Sequence, residues 1–205
     1  MRPTNILKEL DKLRDELSVV NIKETPNHEN NFLSIKNYQV ILKNGAIFNR
    51  EKLVKRGSSG NAVIIVPITE DSKSFVIVEP RVFTSSGTCV EVPAGYIDEG
   101  ETEIDAAKRE LKEELGCTAK ELIPLKSFYQ DQGVSGAYNT CFIALGCKET
   151  DKQSLDKDEY IKYKKCSLND LYYLVDTGVI SDAGGIIAIG EAKKYLDKLK
   201  RKNKK

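Results

Sequence analysis

The chain has 205 residues, enough for one domain with a sizeable core and a terminal elaboration. Hydrophobic residues make up 40% of it and charged residues 31%, as in ordinary soluble globular proteins. Lys and Arg (32) balance Asp and Glu (31), and the net charge of +1 argues against a nucleic-acid or membrane-surface partner.

Only the extreme C-terminus, KKYLDKLKRKNKK, is strongly basic, which reads as a solvated helix end running into a tail. Five cysteines (Cys89, Cys117, Cys141, Cys147 and Cys166) are scattered without a CxxC pair. They read as buried, reduced thiols of a cytoplasmic protein, not as zinc ligands or a disulfide frame. The single histidine, His28, lies in the polar stretch ETPNHENN, so acid–base chemistry falls to carboxylates. The opening MRPTNILKELDKLRDELSVV is amphipathic and carries acids, unlike a signal peptide, and no apolar run approaches the ~20 residues needed to cross a bilayer.

In chain order, Ile6, Leu7, Leu10, Leu13 and Leu17 recur at helical spacing and predict a helix from Thr4 to about Val20. In YQVILKNGAIF, Asn44-Gly45 between two apolar runs predicts a hairpin closed by a type I′ turn. NAVIIVPI and SFVIVEP are short, continuous and β-branched, the pattern of buried strands. TCVEVPAG predicts a further strand, ended by Pro93 and Gly95. A loop, GYIDEGE, then leads to a helix from Thr102 to Leu115 that stops at Gly116. LIPLKSFYQ, NTCFIALGC and IKYKKCS predict three more strands. Two helices close the chain, the first capped by Ser167. Runs of strands without strict β–α alternation predict an α+β sandwich with a mixed sheet.

The helix after GYIDEGE poses a problem. At ~100° per residue, Ile104, Ala107, Leu111 and Leu115 form one apolar stripe. Glu110, Glu113 and Glu114 share a separate arc, with Arg109 one turn before Glu113. Like charges at this spacing repel. Water alone would screen a solvated acidic face. The alternative is a cation among them, since hard cations such as Mg²⁺ take oxygen ligands from carboxylates and substrate phosphates.

The full spacing is Gly95, five residues, Glu101, seven residues, then Arg109-Glu110-Leu111-x-Glu113-Glu114-x-Gly116 and the small apolar Cys117. It resembles the Nudix hydrolase pattern GX5EX7REUXEEXGU, with Cys117 in place of the usual aliphatic. The resemblance implies an α/β/α sandwich and hydrolysis of a nucleoside diphosphate linked to a variable group, with Mg²⁺ or Mn²⁺ as cofactor. It implies metal ligation by Glu110 and Glu114, help from Glu113 directly or through water, and an Arg109 that orients a glutamate.

The flanks are similar to the ADP-ribose and nucleoside-diphosphate-sugar pyrophosphatase branch. VEVPAGYIDEGE resembles that branch's segment around a metal-ligating alanine carbonyl, which falls on Ala94. VIVEPRVF resembles its strand ending in a diphosphate-binding arginine, which falls on Arg81, with Glu79-Pro80 replacing the usual Gln-Tyr/Phe. LVKRG offers Arg56 as a second phosphate contact. QDQGVSG stands where the branch has P-G-x-S, placing Ser135 at the substrate with Gln132 in place of proline. DEYIKYKKCSLNDL resembles its terminal segment and implies Glu159 as general base, with a glutamate of the Nudix helix such as Glu113 as the alternative.

The resemblance covers roughly residues 38–200. The chain then divides into an N-terminal helix and loop (1–35) outside it, a hairpin (36–58), the catalytic domain (59–200) and a basic tail (201–205). N-terminal strands of this branch often pair or swap across a homodimer, and the hairpin could do so, but an ordinary intrachain hairpin would give the same sequence. The activity the resemblance implies is cleavage of ADP-ribose or a related nucleoside diphosphate sugar to NMP and sugar phosphate. Two other readings stay open: hydrolysis of a (d)NTP, a dinucleoside polyphosphate or NADH, and a non-catalytic nucleotide-binding module.

Overall fold

A computed structural model of the chain describes residues 4–21, 32–55 and 60–202, so His28 and Arg56 lie outside the described residues. Helix α1 (Thr4–Glu16) sinks Ile6 and Leu10 into the core. It ends short of the expected Val20, because the amide and hydroxyl of Ser18 both turn back to the Asp15 carbonyl. Strands β1 (Leu33–Ile41) and β2 (Ile47–Lys55) form the expected antiparallel hairpin, in the register Ile41↔Ile47. Its turn is not type I′. The Gly45 amide donates to the Leu42 carbonyl, only Gly45 of the turn has positive φ (+86°), and the Leu42 amide donates to the Ala46 carbonyl. That is the three-residue form, in which one residue rather than two must be left-handed.

Strand β3 (Ala62–Thr69) turns directly into β4 (Lys73–Pro80). The two pair only beside the turn, at Ile68↔Ser74, and then splay apart. The segment expected as one strand fills the wedge as two. Strand β5 (Thr88–Glu91) lies along β4, and β6 (Ala94–Tyr96) lies along β3. The break falls at Val92-Pro93, where proline has no amide to give a ladder and its carbonyl accepts from Ile65 N at 2.8 Å. This splay places Ala94 and Gly95 in the middle of the domain.

Helix α2 (Glu103–Leu115) follows, then a two-residue strand β7 (Cys117–Thr118) too short for the sequence pattern to betray. Strands β8 (Glu121–Tyr129), β9 (Tyr138–Glu149) and β10 (Lys162–Ser167) complete a mixed eight-stranded sheet. β10 and β3 flank β4, and β9 runs parallel to β3. Helix α3 (Leu168–Asp176), opened by a Ser167–Asp170 capping box, and α4 (Ala183–Lys202) end the chain.

Strand alternation sorts the core into two layers. Val63, Ile65, Phe75, Ile77 and Phe142 face α2. Ile64, Val66, Val76, Val78 and Ile143 face α1, α3 and α4. Both sheet faces are therefore covered, which explains why β3 and β4 read as unbroken apolar runs. The result is the expected α+β sandwich. No helix among the described residues is long and apolar enough to cross a membrane.

Candidate active site

Two caps hold α2 in place. Thr102 Oγ1 accepts from Asp105 N at 3.2 Å, and Gly116 closes the helix in the left-handed conformation at φ +63°. Its buried face runs through Ala106, Ala107, Leu111 and Leu115. Ile104, expected in that stripe, is instead 40% exposed, and the small Ala106 takes a buried place. The acidic arc is not solvated either. Glu110 and Glu114 are only 6% and 3% exposed, while Glu113 sits at the rim.

Arg109 organises the rim. Its Nε and Nη2 donate to the two oxygens of Glu101, both at 3.0 Å, and Nη2 also reaches the Tyr96 carbonyl at 2.8 Å. Nη1 donates to Glu110 Oε1 at 2.7 Å and to Glu113 Oε2 at 2.9 Å. One planar fork thus ties the helix to the β6 loop. The Arg109 hydrogen bond holds Glu101 below the usual carboxylate range.

Behind the arginine the charges are not balanced. Burial pushes Glu110 up to about 7, against the pull of Arg109. Burial pushes Glu114 well above the ordinary range, and the Glu110 and Glu79 charges add to it while the Ala94 backbone opposes. Glu114 Oε2 is buried with no hydrogen-bond partner. An unpartnered buried carboxylate oxygen is costly. Ala94 and Gly95 press against this pair: a β-carbon on Gly95 would lie 1.8 Å from Glu110 Oε1. All the donors are hard oxygens, the set that Mg²⁺ and Mn²⁺ favour. Among the described residues, no three acidic, histidine or cysteine side chains make a cation site by themselves. The Ala94 carbonyl and a phosphate would have to supply the rest. With that help the residues present fit such a cation.

A second charged group stands near the pair, on β4 and β5. Arg81 donates from Nε and Nη2 to Glu91 Oε1 and Oε2, both at 2.8 Å, and it is also paired with Glu79. Burial raises Glu79 to about 7, although Arg81 pulls the other way. Burial likewise raises Asp182, at the start of α4, whose Oδ2 accepts from Gly185 N at 2.5 Å. Glu159 stands on the exposed loop between β9 and β10, and its charge acts on Glu79, Glu110 and Glu114 alike.

The fold therefore brings Ala94, Arg109, Glu110, Glu113 and Glu114 together, with the Arg81–Glu79 pair and Glu159 close enough for the Glu79 and Glu159 charges to act on Glu114. Ser135 is not presented in the same way. It is 8% exposed, and its hydroxyl accepts from Ala137 N at 3.1 Å within the β8–β9 loop. Arg56 is outside the described residues. Glu79, Glu91 and Asp182 were not singled out from the sequence, although a carboxylate inside an apolar strand, as in SFVIVEP and TCVEVPAG, is itself a signal of a buried charged partner.

The chain belongs to the Nudix family, whose NUDIX domain model matches residues 59–186. Within that family it is a hydrolase of the ADP-ribose pyrophosphatase-like branch. An ADP-ribose pyrophosphatase of Bacillus subtilis is 34% identical over 152 residues, covering 73% of this chain and 79% of that protein. A methanol dehydrogenase activator of Bacillus methanolicus is 30% identical over 151 residues, with the same coverage of 73% and 79%. A solved structure described as an ADP compounds hydrolase shares the fold, with a TM-score of 0.71 at 22% identity over 89% of this chain and 95% of that one.

Proposed function

We propose that the protein hydrolyses the pyrophosphate bond of ADP-ribose or a related nucleoside diphosphate sugar, with Mg²⁺ or Mn²⁺, giving NMP and sugar phosphate. The observation that carries this reading is the buried pair Glu110 and Glu114, pressed under Ala94-Gly95 with Glu114 Oε2 unpartnered. The name of the Bacillus subtilis relative supports the choice of ADP-ribose.

Glu110, Glu114 and the Ala94 carbonyl would hold the cation, with Glu113 at its edge. When bound, the cation offsets the diphosphate charge and eases attack by water. Glu159 takes the proton of that water at its carboxylate. Arg109 does not touch substrate. It fixes Glu110 and Glu113 against Glu101 and the Tyr96 carbonyl. Arg81 is fixed through Nε and Nη2 by Glu91, so Nη1 is the edge it offers to a diphosphate oxygen. Arg56, just beyond β2, is the second phosphate contact. Ser135 contributes through the shape of its loop.

The hairpin supports a homodimer. Leu33, Ile35, Ile41 and Ile47 lie on one face of this separate two-stranded sheet, each 47% or more exposed, although β2 touches the rest of the domain where Leu53 N donates to the Val134 carbonyl at 2.8 Å. A two-stranded sheet with an uncovered apolar face is marginal by itself. The free cysteines support a cytoplasmic setting.

The test is turnover on ADP-ribose, ADP-glucose, UDP-glucose, NADH, diadenosine polyphosphates and dNTPs, with products identified. AMP and ribose 5-phosphate from ADP-ribose as the preferred reaction would support the reading. Preference for a triphosphate would move it elsewhere within the family, and no turnover on any diphosphate would favour a binding module.

A further inference from the structure

The loop carrying Glu159 is tied to the C-terminal end of α2, the helix that carries Glu110 and Glu114. Helix ends leave carbonyls without intrahelical partners, and here the loop supplies the donors. The amides of Thr150 and Asp151 donate to the Gly116 carbonyl at 2.9 and 3.0 Å, and Ser154 N donates to the Glu113 carbonyl at 2.9 Å. The approach is close enough that a β-carbon on Gly116 would lie 2.1 Å from the Asp151 carbonyl oxygen.

Gln153 does more than cap. Its side-chain Nε2 donates to the Glu114 carbonyl at 2.5 Å and reaches the Ile161 carbonyl at 3.4 Å. One amide group thus joins the carboxylate helix to the far end of the loop, where Ile161 is anchored in the core at 4% exposure. Between the two anchors the chain closes a small turn. Glu159 N donates to the Asp156 carbonyl at 3.0 Å, and Asp156 N donates to Glu159 Oε2 at 3.1 Å. The Glu159 side chain itself is otherwise exposed.

We infer that Gln153 is a positioning residue: it clasps the loop to α2 and so fixes where Glu159 stands relative to the carboxylate helix. The inference rests on Glu159 as general base. Gln153 touches neither substrate nor cation, and it acts only through where Glu159 stands.

The experiment compares Gln153→Met, which keeps length and loses both donors, in the parent and in a Glu159→Gln background. Steady-state turnover of ADP-ribose with Mg²⁺ is the first readout. The clasp predicts a kcat at least ~10-fold lower in Q153M with KM within about twofold, because displacing a reacting group costs rate rather than binding. It also predicts almost no further loss when Q153M is added to E159Q, since the base is already gone. The second readout is hydrogen exchange without substrate or metal. The Glu159 amide should exchange faster in Q153M, while amides inside α2 stay protected. Should Q153M not fold, Gln153→Ala, which removes both donors without adding charge, carries the same expectations. An unchanged kcat, or an equal loss in both backgrounds, would overturn the inference, the latter because Gln153 would then act through α2. An E159Q protein as active as the parent would instead sink the base assignment, a result read before any Gln153 variant is needed.

Discussion

Gly95 and Glu110 stand so close that no side chain fits between them: a β-carbon on Gly95 would sit 1.8 Å from Glu110 Oε1 and 2.1 Å from its carboxyl carbon. The glycine is not there for its backbone freedom, since its φ is not in the left-handed region. It is there because β6 and α2 approach too closely for any side chain at this point. Gly95→Ala is therefore expected to push Glu110 aside. Turnover should fall by ~100-fold or more, a loss of about 3 kcal/mol in transition-state stabilisation, while the fold loses about 1–3 kcal/mol from overpacking. Activity assays beside urea denaturation check both, and a variant as active as the parent would contradict the placement of Glu110.

Glu114→Gln separates the two roles of a buried charge. The amide keeps the shape but removes a carboxylate whose burial and charged neighbours disfavour ionisation. Without divalent cation, E114Q should melt at a higher temperature than the parent at pH 8. With Mg²⁺ the order should reverse or close, because the parent gains a bound ion and the variant does not. Thermal melts with EDTA and with Mg²⁺ provide the check.

The pH dependence follows from Glu110 and Glu79, each raised from 4.5 to about 7 by burial. A carboxyl whose folded pKa lies above its unfolded value binds more protons when folded. Its contribution to stability is full below 4.5 and is lost as pH rises through about 7. The metal-free protein should thus lose stability between these limits, and Mg²⁺ should flatten the slope by favouring the ionised forms. Calorimetry should also show more protons released on Mg²⁺ binding at pH 6 than at pH 8. A metal-free melting temperature that rises across this window would contradict the burial of these groups as charges.

Arg109→Lys tests the fork. Lysine keeps the charge but cannot span Glu101, Glu110, Glu113 and the Tyr96 carbonyl at once. The variant should lose about 2 kcal/mol of stability, partway toward the cost of breaking a buried pair, together with most of its turnover. Equal stability and activity would show that charge alone suffices there.

Much of this site was legible in the sequence, for a physical reason. The acidic residues and Arg109 sit on one helix and its leading loop, so their spacing alone places them on a common face. The β-branched runs of β3 and β4 announced a sheet covered on both sides. What escaped depends on contacts between distant segments. The split of TCVEVPAG into β5 and β6 follows from the splay of β3 and β4, which no local pattern encodes. The pairing of Arg81 with Glu79 and Glu91 needs two neighbouring strands in register. The Asn44-Gly45 hairpin was legible as a hairpin, but its turn type depends on one extra residue in the loop. The burial of Glu110 and Glu114, which distinguishes them from a solvated acidic face, appears only once the β6 corner closes over α2.

The most direct test of the central claim is AMP formation from ADP-ribose by the parent and by E114Q, each with Mg²⁺ and with EDTA. Turnover is expected only for the parent with Mg²⁺, with at least a ~100-fold loss for either EDTA or the variant. Turnover in EDTA, or an E114Q protein that keeps Mg²⁺-dependent activity, would contradict the assignment of the buried carboxylate pair as the metal site of a diphosphate hydrolase.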